Sequence, residues 1–507
     1  MVKERKINQI GVALLLFLVV LIAIAGSVVS NLLGMKAAEV SQKKIDYDYE
    51  LLRKAKQALL SYAVNYSVTT NSNVDMGRLP CPDLRTTGTP TTGVQDSPCG
   101  DMRTNSVGFL PWKTLGIDSF RDSSSECLWY VVSGDYKTRP NPGMRNEDSN
   151  GLLQVQDENG QLYHGVNPGD RPIALIISPG GILQGQSRLP DCQGNSNEND
   201  YLESGGSITY TTDHASIADK IWTYVYGTAS SRLENLNFND KMVWITKDEY
   251  WDEIKATNAL DTNTASPGSE IEQLTADLIQ CFSTYANDVV NENFWLPWPA
   301  DINITEYRND ADTTGMNGYI DQNNAPLLIG RLPQSISNSD MEETFLTGSS
   351  VIAHTNKADI FDSCLTVERK ALWRNWKDHF FYVVSQDFKI GGPTVTLSAR
   401  CAVMGDCLNV STIAGVLVSS KIAAIVFFSG SVVNGQSRNS PPVDLDEKNI
   451  LSNYLDTQGP NLSNAHDHPL DTTYSGDVNT YYNDAGDLVY CIWVNAGATA
   501  LETGKCV

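Results

Sequence analysis

The chain of 507 residues is predicted to be α+β. A long N-terminal helix, transmembrane at first and amphipathic later, is followed by two tandem heads, each a helix packed on an antiparallel sheet. Three observations predict this. The chain opens on a long uncharged run, a helical pattern continues that run without a proline, and two sets of strand-like segments recur in the same order.

The helix comes first. From Ile10 to Val29 no residue is charged, which matches the ~20 residues a helix needs to cross a hydrocarbon core. Lys3, Arg5 and Lys6 precede the run against Glu4 alone, so the positive-inside rule keeps the N-terminus cytoplasmic and the rest external. Ala23-Ile24-Ala25 also has the small-x-small form of a signal-peptidase site, behind an apolar stretch from Val12 to Ile22. The apolar run nevertheless continues through Val28-Val29. Beyond it Leu32, Leu33, Met35, Val40, Ile45, Leu51, Leu52, Ala58, Leu59 and Ala63 extend a helical pattern that no proline breaks before Tyr66. A retained helix over 12–66, after a basic leader over 1–11, is the favoured reading.

The external part carries an internal repeat. Cys127–Lys137 returns as His379–Lys389, and Ile173–Arg188 returns as Ile422–Arg438, both ending in Gly-Gln-Ser-Arg. Asp200-Tyr201-Leu202-Glu203 is answered by Asn453-Tyr454-Leu455-Asp456. Ser61-Tyr62-Ala63 and Arg78–Pro82 have fainter echoes in Thr284-Tyr285-Ala286 and Trp295–Pro299. The duplication predicts a first head over 67–260 and a second over 261–507, joined at the polar stretch Asp261–Gly268. Leu128–Val132 and Ile173–Ile177, with their counterparts Phe380–Val384 and Ile422–Phe428, are β-branched or aromatic runs bounded by Gly, Pro and Asx, and read as strands. In the second head Ser269-x-x-Glu272 forms a capping box before the stripe Ile271, Leu274, Leu278, Ile279 and Phe282. The first head uses the end of the N-terminal helix instead, from Tyr49 to Tyr66.

A chain this long is expected to hold two or more domains. Its net charge of −23 argues against nucleic acid or an anionic membrane surface as a partner. Ten cysteines lie beyond the apolar run: Cys81, Cys99, Cys127, Cys192, Cys281, Cys364, Cys401, Cys407, Cys491 and Cys506. Their number is even and fits an oxidising compartment, but composition leaves the pairing open. Cys401 and Cys407 are near enough for a small loop, and Cys491 with Cys506 could staple the C-terminal end. No Cys-x-x-Cys occurs, which removes the usual signature of a zinc ribbon or thioredoxin-type site.

Two loops suggest calcium. Asp310, Asp312, Thr314 and Asp321 stand at positions one, three, five and twelve of an EF-hand-type loop, with Gly315 at six and the Met316 carbonyl at seven. Asn146, Asp148, Asn150 and Asp157, with Gly151, repeat the order with a neutral first ligand. An Asx-rich surface turn is the competing reading of both. Enzyme signatures are missing: there is no Gly-x-Ser-x-Gly, His-Glu-x-x-His or P-loop. His466-Asp467-His468 has metal-compatible spacing but lies in an Asn/Asp/Ser-rich stretch, and Asp213-His214 has no serine placed beside it by any motif. No enzyme is expected.

The basic leader and the start of the apolar run, Gln9-Ile10-Gly11-Val12-Ala13-Leu14-Leu15, resemble the class III leader of type IV pilins and pseudopilins. The resemblance implies cleavage by a prepilin peptidase after Gly11, a mature chain beginning at Val12, and other pilin or pseudopilin subunits as partners. It also implies a single-pass position in the inner membrane, with the head periplasmic or carried to the cell surface in a filament. Major pilins have a glutamate five residues into the mature chain; the matching residue here is Leu16. In this the chain is similar to the K-type pseudopilin of type II secretion and to tip-located minor pilins, and K-type heads bind calcium. Leu79-Pro80-Cys81-Pro82-Asp83 and Leu110-Pro111-Trp112-Lys113-Thr114-Leu115-Gly116 further resemble a set of proteobacterial pilin-like proteins. The expected function is a structural minor or tip subunit of a type IV pilus or type II secretion filament. The alternative is a membrane-anchored adhesin or receptor that binds a glycan or host protein.

Overall fold

The computed structural model describes residues 4–70, 77–85, 92–100, 104–138, 145–156, 161–188, 198–202, 221–223, 239–256, 269–288, 293–302, 319–321, 328–337, 359–401, 407–411, 417–430, 432, 436–438, 445–455, 473–475, 488–497 and 499–506. Helix α1 runs unbroken from Glu4 to Thr70. Its last five turns bury a stripe of Asp48, Leu51, Leu52, Ala55, Leu59, Ala63 and Tyr66, the three-to-four-residue spacing of a core-facing helix. Upstream, the large apolar side chains from Leu15 to Ile24 are each between 49% and 65% exposed.

The strands of the first half are β1 (Ser106–Phe109), β2 (Trp129–Val132), β3 (Gln154–Gln156), β4 (Leu162–His164), β5 (Ala174–Ser178), β6 (Ile221–Thr223) and β7 (Lys241–Ile245), followed by α2 (Lys247–Ala256). The second half holds α3 (Glu270–Ala286), β8 (Ile329–Arg331), α4 (Val367–Trp376), β9 (Phe380–Val384), β10 (Leu408–Ser411), β11 (Leu417–Phe428), α5 (Leu445–Lys448), β12 (Thr473–Ser475), β13 (Leu488–Val494) and β14 (Leu501–Lys505). A four-stranded sheet in the order β1-β2-β5-β7 has α1 against β5 and β7. The order β8-β9-β11-β13 reproduces it, with β14 added at the edge and α3 lying against β11, β13 and β14. Ser269 caps α3 by accepting from the Glu272 amide at 3.0 Å, as the sequence pattern requires.

The repeated segments occupy matching places, down to single hydrogen bonds. Trp129 pairs with Ile177, and Phe381 with Phe427. The Ser133 amide donates to the Ile173 carbonyl, and the Ser385 amide to the Ala423 carbonyl, each at 2.8 Å. This register sets Ile173 against Ala423 rather than Ile422, and from that pair the two segments run without a gap to Arg188 and Arg438. Arg188 donates to the Gly180, Asp200 and Tyr201 carbonyls and to Gln186, with its guanidinium over the Tyr201 ring. Arg438 donates to Gly430, Asn453, Tyr454 and Gln436, and lies over Tyr454. The recurring Gly-Gln-Ser-Arg is therefore a brace that ties the end of the central strand to the Tyr-Leu segment.

Two features of the predicted fold are corrected. No helix among the described residues is long and apolar enough to cross a membrane. The transmembrane segment, and with it the single-pass inner-membrane position, is accordingly set aside. Second, the architecture is mixed α/β rather than two free-standing α+β heads. Parallel pairings join β3 to β6 and β10 to β12, and one apolar core runs through both halves, from Leu52 and Leu59 to Ile271, Leu278 and Tyr382. Trp251 of α2 meets Trp376 of α4 across that junction, with ring centroids 6.1 Å apart.

Disulfides join Cys81 to Cys99, Cys281 to Cys364, Cys401 to Cys407 and Cys491 to Cys506. The last two are the short loops that the spacing suggested. Cys127 is also disulfide-bonded, and Cys192 lies outside the described residues.

Candidate functional site: a buried charge cluster between the repeats

The polar residues buried most deeply at the junction come from four segments. Residues 145–150 form an Asx turn: Asn146 Oδ1 accepts from the Asp148 amide at 3.0 Å, and the Ser149 amide donates to the Asn146 carbonyl at 3.0 Å. Gly151 lets this loop run against Pro172, since a Cβ there would lie 2.2 Å from the Pro172 carbonyl oxygen. Across the junction α4 ends in a 3-10 turn, Lys377–His379, that delivers Asp378 and His379 immediately before β9. Lys448 projects from α5, and Arg331 stands at the end of β8.

These side chains close on one another. Asp378 Oδ1 accepts from Asn146 Nδ2 at 2.7 Å, while its Oδ2 accepts from Lys448 Nζ at 2.6 Å and Tyr454 Oη at 3.3 Å. Asp148 Oδ2 lies 3.1 Å from His379 Nε2 and 3.5 Å from Lys448 Nζ. Arg331 donates to the carbonyls of Asp378, at 2.8 Å, and of Lys448. Two backbone-linked contacts fasten the rim: the Arg145 amide to Asn375 Oδ1 at 3.2 Å, and Asn146 Nδ2 to the Asn375 carbonyl at 3.0 Å. Asn146, Asp148, Arg331, Asp378, His379, Lys448 and Tyr454 are all buried.

The carboxylates of Asp148 and Asp378 face the cations Lys448 and Arg331, and Arg438 adds a further positive charge that acts on His379. Burial resists ionisation of Asp378, but Lys448, then His379 and Arg331, outweigh it and hold the carboxyl well below the usual range. Burial pulls the His379 imidazole down to about 4, against the attraction of Asp378 and Asp148. Stacking on Phe428 and edge contacts with Trp376 and Tyr454 complete its apolar surroundings.

Asp148, Asp378 and His379 are close enough together to share a metal ion. The ammonium of Lys448, in reach of both carboxylates, already stands in the position such an ion would take. A second such group among the described residues, Asp387 with Cys401 and Cys407, has its two sulfurs joined in a disulfide and offers no thiolate. The predicted calcium ligands of the second loop are not brought to one point. Asn146 Oδ1 faces the Asp148 amide, Asp148 Oδ2 faces Lys448 and His379, and Asn150 Oδ1 accepts from Lys247 at 3.2 Å. Asn146 and Asp148 thus serve as hydrogen-bonding members of the cluster; Asp157 lies outside the described residues. So do Asp310, Asp312, Thr314 and Met316 of the first loop, as do His214, His466 and His468. Asp321 is buried, with Oδ1 accepting from the Ser337 amide. Gly11 and Val12, the expected processing point, fall within α1.

Sequence reading picked out Asn146 and Asp148 but missed Asp378, His379, Lys448 and Arg331. One signal was available. Read one residue further upstream, the first repeat has Glu126-Cys127 where the second has Asp378-His379, an acid in the same place twice. In the first repeat that acid lies 3.6 Å from Arg188; in the second it is recruited across the junction. No protein family, curated protein or solved structure matches the chain.

Proposed function

We propose that the protein is a structural subunit of a pilin-like filament, in a minor or tip position, that assembles through its N-terminal helical stem. The observation that carries this reading is the change of character along α1. One continuous helix is core to the first sheet from Asp48 onward, yet presents apolar side chains to solvent all round from Leu15 to Ile24. A run of that kind is stable in water only when other apolar surface covers it, and the stems of like subunits would supply such surface. Leu16, where bulk pilins carry a glutamate, fits a subunit used once or rarely, because no carboxylate is offered to a neighbouring amine. The disulfides fit an oxidising compartment outside the cytoplasm, and they brace heads that must bear load. In this reading the buried cluster serves the same end, locking the two repeats into one body.

The N-terminal mass of the mature protein tests the route. A chain that starts at Val12 only in cells containing the prepilin peptidase supports the proposal. A chain that starts at Gly26, without the stem, contradicts it.

A further inference from the structure

We propose that the corner of the first half where Tyr163 and Trp244 flank the His164–Asp170 pair is a binding site for a neutral sugar in hexopyranose form. The site shares no residue with the junction cluster and does not depend on assembly through the stem. Tyr163 and His164 come from β4 and Trp244 from β7. Their rings meet at steep angles, 61° to 82°, with centroids 4.9 Å apart for Tyr163 and His164, 5.0 Å for His164 and Trp244, and 5.6 Å for Tyr163 and Trp244. Tyr163 is 58% exposed and Val166 65%, while His164 and Trp244 are half-buried. Gly165, at a φ of 99°, turns the chain so that the 3-10 turn Pro168–Asp170 returns to β4. There Asp170 Oδ1 lies 2.7 Å from His164 Nδ1, and Oδ2 accepts from the Gly165 amide at 3.2 Å. A proton on Nδ1 faces the carboxylate, so Nε2 is left as an acceptor. It has no partner among the described residues.

The architecture does not require these rings, because the second repeat folds without them. Leu175 of β5 pairs with Trp244, whereas its counterpart Ile425 pairs with the buried Cys491. Val155 of β3 pairs with His164, whereas Val410 of the matching strand β10 pairs with Ser419. Aromatic and apolar side chains gathered at the surface without a packing need mark a contact site. A largely exposed tyrosine ring beside a fixed acceptor suits a molecule with a C–H-bearing face and hydroxyls on its rim. The ring face carries negative charge density that attracts polarised C–H groups, and one hydroxyl donates to Nε2. A purely apolar partner would instead cover Nε2 and leave it without a donor, which is costly. The rings lock one another and Asp170 locks the imidazole, so little ordering is required on binding. Charge narrows the class to neutral sugars. The chain carries −23 overall, and the Asp170 carboxylate, 41% exposed, lies within the site; both repel carboxylated or sulfated rings.

Saturation-transfer NMR titration of the full-length protein tests this, with methyl β-D-glucopyranoside, methyl β-D-galactopyranoside, methyl α-D-mannopyranoside and N-acetylglucosamine as probes and glucuronate as the charged control. At least one neutral probe is expected to bind, and glucuronate to bind about tenfold more weakly or not at all. Tyr163→Ala removes the exposed ring, and His164→Phe keeps a ring in the cluster but removes the acceptor. Each should weaken binding of the same probe about tenfold. Tyr163→Ala changes a mostly exposed side chain and keeps the test open if His164→Phe does not fold. No transfer to any of the four neutral probes overturns the proposal. So does binding that Tyr163→Ala leaves unchanged, which is adventitious, and so does glucuronate binding as tightly as the neutral rings.

Discussion

Lys448 is the residue on which the junction depends most. Its ammonium offsets two buried carboxylates, 2.6 Å and 3.5 Å away, and removing one partner of such a set leaves an uncompensated buried charge. Lys448→Met is expected to lower unfolding free energy by about 3–5 kcal/mol, read by urea denaturation at pH 7.5. An effect under about 1 kcal/mol would place the cluster among marginal surface pairs. His379 gives the junction a pH signature. Its folded pKa is depressed to about 4 from ~6.5 in the unfolded chain, so the unfolded state takes up the proton first. The stabilisation is fully present above pH 6.5 and is lost as the pH falls toward 4, on the order of 3 kcal/mol in all. Denaturation midpoints measured across that window should fall in the wild type and stay nearly level in His379→Gln. None of this was legible from residue types alone. A lone Asp-His pair ahead of a strand is common, and only the meeting of segments far apart in sequence makes this one special.

At the scale of elements, local pattern carried far. The stripe after Asp48, the Ser269 cap and the paired strands around Val131 and Val383 were readable because period and capping chemistry are local properties. The brace of Arg188 and Arg438 was legible as a repeated motif, though not as a hydrogen-bonding device. What pattern overstated was the apolar run. No helix among the described residues is long and apolar enough to cross a membrane, although no residue from Ile10 to Val29 is charged. The parallel pairings of β3 with β6 and β10 with β12 also left no local trace, since they join segments distant in sequence. The helix stripe has a direct test. Leu52 is fully buried between α1 and the first sheet, and Leu52→Ala should cost about 2–5 kcal/mol. Leu18→Ala, on the exposed part of the same helix, should change the unfolding free energy of the isolated protein by less than about 0.5 kcal/mol.

Across the whole molecule, duplication explains both the likeness of the halves and their difference. The two sheets share an order and a register, yet the second half uses its acid-before-strand position to grip the first. The result is one apolar core that runs through both halves, with an exposed apolar stretch of α1 from Leu15 to Ile24. The stem is also where assembly can be probed in place. A photo-crosslinking side chain at Leu18 of the full-length protein, in the cells that make it, reports what covers the helix there; the same group at buried Leu52 serves as the control. Covalent adducts from position 18 to the N-terminal helix of another subunit are expected, with only intrachain products from position 52. Adducts from position 18 confined to the chain's own head, or to proteins without such a helix, would rule out assembly through the stem.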